Sequence, residues 1–276
     1  MHPILKDLKA KTKQLKNADL GFDVIRIQIK ESLQNHILYA IYNNNEYKDL
    51  IFYGGMCLRK LFGLNRMSED LDFETSKKID LTHLAEQINQ YFKKIELDQT
   101  YFSIQKNEII SGITMKFPIL NLIDLSSHSD EALHVKVEIN SKISGVYNTQ
   151  LSPLMINNLS LILKHYDIST LMAGKINACL TRIYKKGKSN IEIKGRDYYD
   201  LIWFMQKGIS PNLKKIKDTL KINSIEEVFL LLDKKIAKIS SKDLKEDLLP
   251  LIPEKNFVID WCDNFHNFYQ RFRQKY

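Results

Sequence analysis

A short run over residues 70–74, in which acidic and apolar residues alternate, limits the folds open to this chain more than any other feature. Leu71 and Phe73 occupy every second position, so a strand would bury them on one face and present its acids on the other. Such a strand belongs in a sheet that has one buried and one open face. The run follows Gly54 and Gly55, which close a short apolar segment.

The rest of the first half mixes helical and extended patterns. Apolar residues at four-residue steps predict a helix over 22–42, and the regular alternation over 134–140 predicts a strand. Weaker patterns predict strands over 50–53 and within 98–120, and helices over 56–62 and 80–94.

Helical patterns dominate after about residue 150, beyond a short strand at 161–163. We predict helices over 168–185, 197–206, 211–221, 225–239 and 256–274. Ser210-Pro211 is typical of a helix start, and Ser224 with Glu227 fits a capping box. The chain is therefore predicted to be α+β, with a mixed sheet in the N-terminal half and a mostly helical C-terminal half. The predicted domains are 1–150 and 151–276.

Composition narrows the class of protein. The formal net charge of +8 favours a polyanionic partner such as nucleic acid, although many basic proteins never bind one. Three widely spaced cysteines without a CxxC pair indicate neither a disulfide framework nor a zinc site, which fits a reducing cytoplasm. The sequence shows no signal peptide and no apolar run long enough to span a membrane.

The acidic run has the chemistry of a cation site. Two carboxylates at positions i and i+2 of a strand, Asp70 and Asp72, face the same way and can share Mg²⁺, or Mn²⁺ in its place. Glu138, on the polar face of the 134–140 strand, is the best third carboxylate. Each feature alone is common, because an acidic strand face is often only solvated.

The glycine pair offers a second element of such a site. It follows a predicted strand and opens a predicted helix, where backbone amides that carry no Cβ beside them can approach a phosphate closely. A strand–glycine–helix turn also occurs as simple tight packing. The two features in this order are more specific than either one.

Residues 54–73, GGMCLRKLFGLNRMSEDLDF, resemble the first motif of the AbiEii/AbiGii-type nucleotidyltransferase toxins, within the polymerase-β-like superfamily. That family's pattern is a glycine pair, a small residue, an apolar residue, a short helix, and then R-x-S-x-D-L-D-F. Met56 stands where the family has a small hydroxyl residue, so a phosphate contact from that side chain is lost here.

Two later segments carry the resemblance as far as about residue 205. LMAGKINA, residues 171–178, is similar to the family's lysine-bearing helix, and GRDYYDL, residues 195–201, is similar to its R-D-x-Y-D-L segment. The resemblance implies a nucleotidyltransferase-type sheet core. It also implies roles for these residues: metal binding by Asp70, Asp72 and Glu138; catalysis by those three and Asp197; nucleotide binding by Gly54, Gly55, Ser68 and Lys175.

The resemblance further implies an enzyme that moves an NMP from an NTP to an acceptor hydroxyl. RNA, for instance a tRNA-like molecule, is the expected acceptor, and the system would be a toxin–antitoxin or phage-defence pair with an antitoxin encoded nearby. The alternatives are an enzyme that nucleotidylates protein and a non-catalytic nucleotide- or RNA-binding protein on the same fold. A basic loop, Lys185, Lys186, Lys188 and Lys194, is a candidate guide for RNA, although such runs are often only solvated.

Overall fold

The structure, a computed structural model, describes residues 3–18, 20–106, 110–141, 145–156, 158–182 and 193–276. It divides into two compact units, the first comprising Met1–Ile143 and Thr149–His165 and the second Ser144–Asn148 and Tyr166–Tyr276. The first unit therefore includes residues 151–165, which the predicted boundary at residue 150 assigned to the second domain.

The first unit is built on one mixed sheet. Its strands are β1 (Ile51–Tyr53), β2 (Asp70–Glu74), β3 (Tyr101–Gln105), β4 (Ile110–Phe117), β5 (Leu133–Asn140), β6 (Thr149–Ile156) and β7 (Leu159–Tyr166). Within the described residues their order is β3-β4-β5-β2-β1-β7-β6. β2 runs parallel to β5 and antiparallel to β1, while β4 is antiparallel to both β3 and β5. The predicted α+β class with a mixed sheet is confirmed.

Helices cover one face of this sheet. They are α1 (Pro3–Asn17), α2 (Phe22–Tyr42), α3 (Gly54–Phe62) and α4 (Leu81–Lys94). α2 packs against β5, α4 packs against β3 and β4, and α2 also contacts α1 and α4. Burial of the alternating apolar residues, such as Leu71, Phe73, Val135 and Val137, drives this arrangement because each loses its contact with water.

The local sequence explains where these helices lie. The predicted α2 stripe is confirmed, since Ile29, Leu33, Ile37 and Ile41 are all fully buried. Asp80 caps α4, and its Oδ1 accepts hydrogen bonds from the backbone amides of two residues in the first turn, at 2.9 and 3.2 Å.

The second unit is helical. Its helices are α5 (Ile168–Thr181), α6 (Gly195–Gln206), α7 (Leu213–Leu220), α8 (Ile225–Ile236), α9 (Ser241–Leu248), α10 (Lys255–Asp263) and α11 (Phe265–Arg273). α6 contacts α5, α9 and α11. Aromatic rings fill the space between α6, α10 and α11, with the Tyr199 and Trp261 ring centroids 4.9 Å apart. No helix among the described residues is both long and apolar enough to cross a bilayer.

Several local predictions need correction. Ser210-Pro211 does not start α7, because Asn212 is its N-cap and accepts a bond from the amide of Lys215. The predicted helix over 256–274 is interrupted at Asn264, which separates α10 from α11. Ser224 does cap α8, but the Glu227 carboxylate accepts from the amide of Asn223.

Gly63 ends α3 in the left-handed conformation, with φ of 74°, and the space around its Cα is open. Replacing it with Ala should therefore cost about 1 kcal/mol of unfolding free energy from backbone conformation alone. Gly174→Ala, inside α5 and also in open space, is the matched control and should stabilise by about 0.5–1 kcal/mol. Urea unfolding of both variants measures the difference, and a shift of the same sign in both would contradict this account.

Candidate active site

The acids of β2 and β5 share the open face of the sheet. Asp70 and Asp72 alternate with the buried Leu71 and Phe73, so both point away from the core. In the parallel pairing of the two strands Asp72 lies opposite Glu138. Residues paired across adjacent strands project from the same face, and neighbouring strands are about 4.8 Å apart. The register thus places the three predicted carboxylates on one surface, which we call the acidic row.

Gly54 packs closely against the Asp72 side chain of the acidic row. It opens α3 with φ of 78°, and a Cβ added to it would overlap the Asp72 carboxylate. Tyr53, its neighbour on β1, is paired with Asp72 across the antiparallel ladder. A residue with a side chain at position 54 would be strained by its backbone conformation and would force the Asp72 side chain to move.

Gly55 and Ser68 also lie together. A Cβ added to Gly55 would be 2.7 Å from a guanidinium nitrogen of Arg66 and 2.9 Å from Oγ of Ser68. Arg66 is buried and donates a hydrogen bond of 2.9 Å to the carbonyl of Met67. The α3 N-terminus has no side-chain cap, so its first-turn amides, including that of Gly55, need other acceptors. The predicted nucleotide-binding residues of this unit are therefore neighbours.

Two polar residues at this surface were missed in the sequence. Burial, followed by the charges of Asp72, Glu74 and Glu138, raises the pKa of Tyr53, which keeps its hydroxyl protonated. The Asn140 amide donates to the Glu74 carboxylate at 3.3 Å. Tyr53 is the last residue of an apolar strand, so the sequence pattern predicted a core position for it. Asn140 was missed because only the cross-strand register places it beside Glu74.

The acidic row fits a divalent cation by its chemistry. Carboxylate oxygens are the ligands that Mg²⁺ and Mn²⁺ prefer, and three of them share one face. Among the described residues no three His, Cys, Asp or Glu side chains are already grouped as a metal site. The metal assignment therefore rests on the donor type and the shared face.

Lys175 and Asp197 meet in the second unit, in a buried ion-pair network. The Lys175 ammonium lies 2.8 Å from Oδ1 of Asp197 and 2.8 Å from Oδ2 of Asp200, one turn further along α6. Arg182 approaches the other oxygen of Asp197 at 2.7 Å. Asp200 is fully buried and Asp197 nearly so. Asp200 is the second aspartate of the R-D-x-Y-D-L segment, but it was not among the predicted site residues, because only the fold brings it to Lys175.

Electrostatics keep this network charged. Burial alone would raise the pKa of Asp197, but Lys175 and Arg182 hold it below its ordinary value. Burial, together with Arg196 and Arg182, lowers the pKa of Lys194 to about 8. The other members of the predicted basic loop, Lys185, Lys186 and Lys188, lie outside the described residues, so its proposed contact with RNA stays a prediction.

Comparison with known proteins identifies the family of this chain. A family model described as nucleotidyl transferase AbiEii toxin, type IV toxin–antitoxin system, matches residues 36–265. The search of curated proteins found no match.

Two solved structures from Helicobacter pylori resemble the chain. JHP933 has 16% identity and a TM-score of 0.54, with 90% of this chain and 92% of that chain covered. A candidate nucleotidyltransferase has 16% identity and a TM-score of 0.50, with 89% and 95% covered. At these identities the likeness shows a shared fold.

The Gly54 contact predicts a sharp difference between two glycines of the first unit. Gly54→Ala should lower the unfolding free energy by roughly 1–3 kcal/mol, because the new methyl is strained at positive φ and overlaps Asp72. Gly112→Ala is the control, since its Cβ would have only an ordinary contact, 3.8 Å from the Val137 carbonyl. Equal melting temperatures for the two variants would show that the Asp72 carboxylate does not occupy this position.

Removing Lys175 should destabilise the second unit. Lys175→Met leaves Asp197 and Asp200 buried with Arg182 as the remaining member of the described network, at a cost of about 3–5 kcal/mol. Lys214→Met, at an exposed position of α7, should change stability little. Adding Asp200→Asn to Lys175→Met should recover part of the loss in urea unfolding. A Lys175→Met variant as stable as Lys214→Met would place the ammonium in solvent.

Proposed function

This chain belongs to the AbiEii family of nucleotidyltransferase toxins, and we propose that it transfers a nucleoside monophosphate from an NTP to a hydroxyl of RNA. The oxygen of that hydroxyl bonds to the α-phosphorus as the bond to the β-phosphate oxygen breaks, and pyrophosphate leaves. The family description also supports an antitoxin partner encoded with it.

The observation that carries the proposal is the register of β2 against β5. It sets Asp72 opposite Glu138, with Asp70 two residues away on the same face. The uncapped start of α3 adjoins this row at Gly54. Carboxylates and a helix start without a side-chain cap, on one surface, suit a reaction in which a polyphosphate must be held and a hydroxyl deprotonated.

The acidic row would hold the divalent cation. Asp70, Asp72 and Glu138 are the proposed ligands, with Mg²⁺ as the expected ion and Mn²⁺ as a substitute. When bound, the cation would neutralise phosphate charge and lower the pKa of the attacking hydroxyl.

The remaining roles fall to the chain's own groups. The amides of Gly54 and Gly55 would donate to phosphate oxygens near the positive end of α3, and Ser68 would add a hydroxyl donor beside them. A carboxylate of the acidic row would accept the proton of the attacking hydroxyl. Burial of Leu71 and Phe73 beneath the row fixes the strand that carries two of its members.

The family resemblance also gives roles to Lys175 and Asp197, a pair in the second unit. Lys175 would neutralise charge on the triphosphate. Asp197 and Asp200 would orient its ammonium, since both carboxylates lie 2.8 Å from it. In this role Asp197 acts through Lys175.

Charge-neutralising substitutions in the acidic row test the reaction. Asp70→Asn, Asp72→Asn and Glu138→Gln should each reduce transfer by about 10² or more, in line with other electrostatic catalytic groups. Their melting temperatures should be unchanged or higher, because repulsion between like charges is relieved. Glu86→Gln, at an exposed position of α4, is the control and should leave transfer unchanged.

The assay is incubation with each α-labelled NTP, total RNA and Mg²⁺ or Mn²⁺. Label in RNA that is lost in the three variants supports the proposal. Label in protein would identify a protein-nucleotidylating enzyme, and nucleotide binding without any labelled product would identify a non-catalytic binder. Near-normal turnover by any of the three variants would remove that residue from the site.

A further inference from the structure

The open face of the sheet continues past the acidic row onto β5, β4 and β3. Lys136 lies opposite Asp70 on one side and Thr114 on the other, and Thr114 lies opposite Ser103. The next row consists of His134, Lys116 and Tyr101. We call these six residues the basic face: Tyr101, Ser103, Thr114, Lys116, His134 and Lys136.

Positive charge is concentrated on and around this face. His134 is exposed, and its pKa is lowered first by desolvation and then by four cations. Two of them, Lys116 and Lys136, belong to the face itself, and the other two, Arg26 and Lys30, come from α2. Arg26 and Lys30 are paired with Glu131 and Glu69, whereas Lys136 lies opposite Asp70 and Lys116 lies beside Tyr101.

An aromatic ring lies at the far end of the face. Tyr101 is 47% exposed, although it is part of a strand. The Lys116 ammonium is 5.4 Å from the centroid of its ring. An open ring beside a cation is the combination that single-stranded nucleic acids use, since a base stacks on the ring while a phosphate meets the charge.

We propose that the basic face binds a single-stranded segment of the RNA acceptor and leads it to the acidic row. Lys116 and Lys136 contact its phosphates, and Tyr101 stacks against a base. Adjacent rows are two residues apart along a strand, and the Tyr101 row is two rows from the Asp72 row. The two rows are therefore roughly 13 Å apart along the strand direction. This inference rests on the proposed function, because it names the path of that reaction's acceptor.

The chemistry of the face favours RNA over a protein acceptor. Protein interfaces are depleted in lysine and depend on a desolvated apolar centre. The basic face offers lysines, hydroxyls and one ring instead. The exposed apolar side chains of the sheet, Leu151, Met155 and Ile162, lie on β6 and β7 and not on this face.

The test is binding of a fluorescent single-stranded RNA of about 20 nucleotides to the full chain, measured by anisotropy over a salt series without NTP. The Lys116→Gln/Lys136→Gln double variant should bind about tenfold more weakly at low salt. Its slope of log affinity against log salt should fall by about 1.4, or about 0.7 for each lost phosphate contact. Lys93→Gln/Lys94→Gln makes the same charge change at exposed positions of α4 and should leave the slope unchanged.

The ring is tested separately. Tyr101→Ala should weaken RNA binding about fivefold or more, whereas Tyr101→Phe keeps the stacking surface and should bind like the unmodified chain. Both substitutions lie at an exposed edge strand, and a melting curve for each confirms that the fold is intact.

Two outcomes overturn the inference. One is an unchanged salt slope in the double variant, and the other is an equal loss of affinity in the α4 control. Label transfer in the same variants separates this result from the proposed function. If the basic-face variants label RNA as well as the unmodified chain does, the proposed reaction is supported and the role of the basic face is rejected. If RNA binding depends on the basic face but no acceptor is labelled, the role of the basic face is supported and the proposed reaction is rejected.

Discussion

The parallel pairing of β2 with β5 is the constraint on which the site depends. Side chains alternate along both strands, so a slip of one residue would turn either Asp72 or Glu138 into the core. Leu71, Phe73 and Val137 prevent that slip because each is fully buried in the present register. The same hydrophobic contacts that stabilise the sheet thus fix which carboxylates share its open face. The neighbouring ladders, β1 with β2 and β4 with β5, place the start of α3 and the lysine of β4 relative to this pair.

Elements with strong periodicity could be predicted from the sequence. The α2 stripe and the alternation of β2 and β5 are confirmed because burial of one face decides their structure. α1 and α9 were missed, since α1 is mostly polar and buries only Ile4, Leu8 and Thr12. β6 was missed because Pro153 interrupts its pattern, and proline is tolerated there only because β6 is at the edge of the sheet.

The candidate site also has a part that the sequence predicts and a part that only the fold reveals. Asp70 and Asp72 share a strand, so their common face follows from local geometry. The pairing of Asp72 with Glu138 depends on strand order and register, which no local pattern encodes. The Lys175 network joins groups on α5 and α6, 22 and 25 positions apart in the chain. The resemblance to the family marked Lys175 and Asp197, but only the fold shows that they form an ion pair.

The fit of Gly54 against the Asp72 carboxylate has a genetic consequence. Every other amino acid carries a Cβ atom, and that atom alone produces the overlap, so every missense change at this codon introduces it. Because the chain belongs to a toxin family, cells that survive its expression are selected for inactivating changes. Codon 54 is one target for that selection, since any nucleotide change that replaces the glycine introduces the overlap with Asp72.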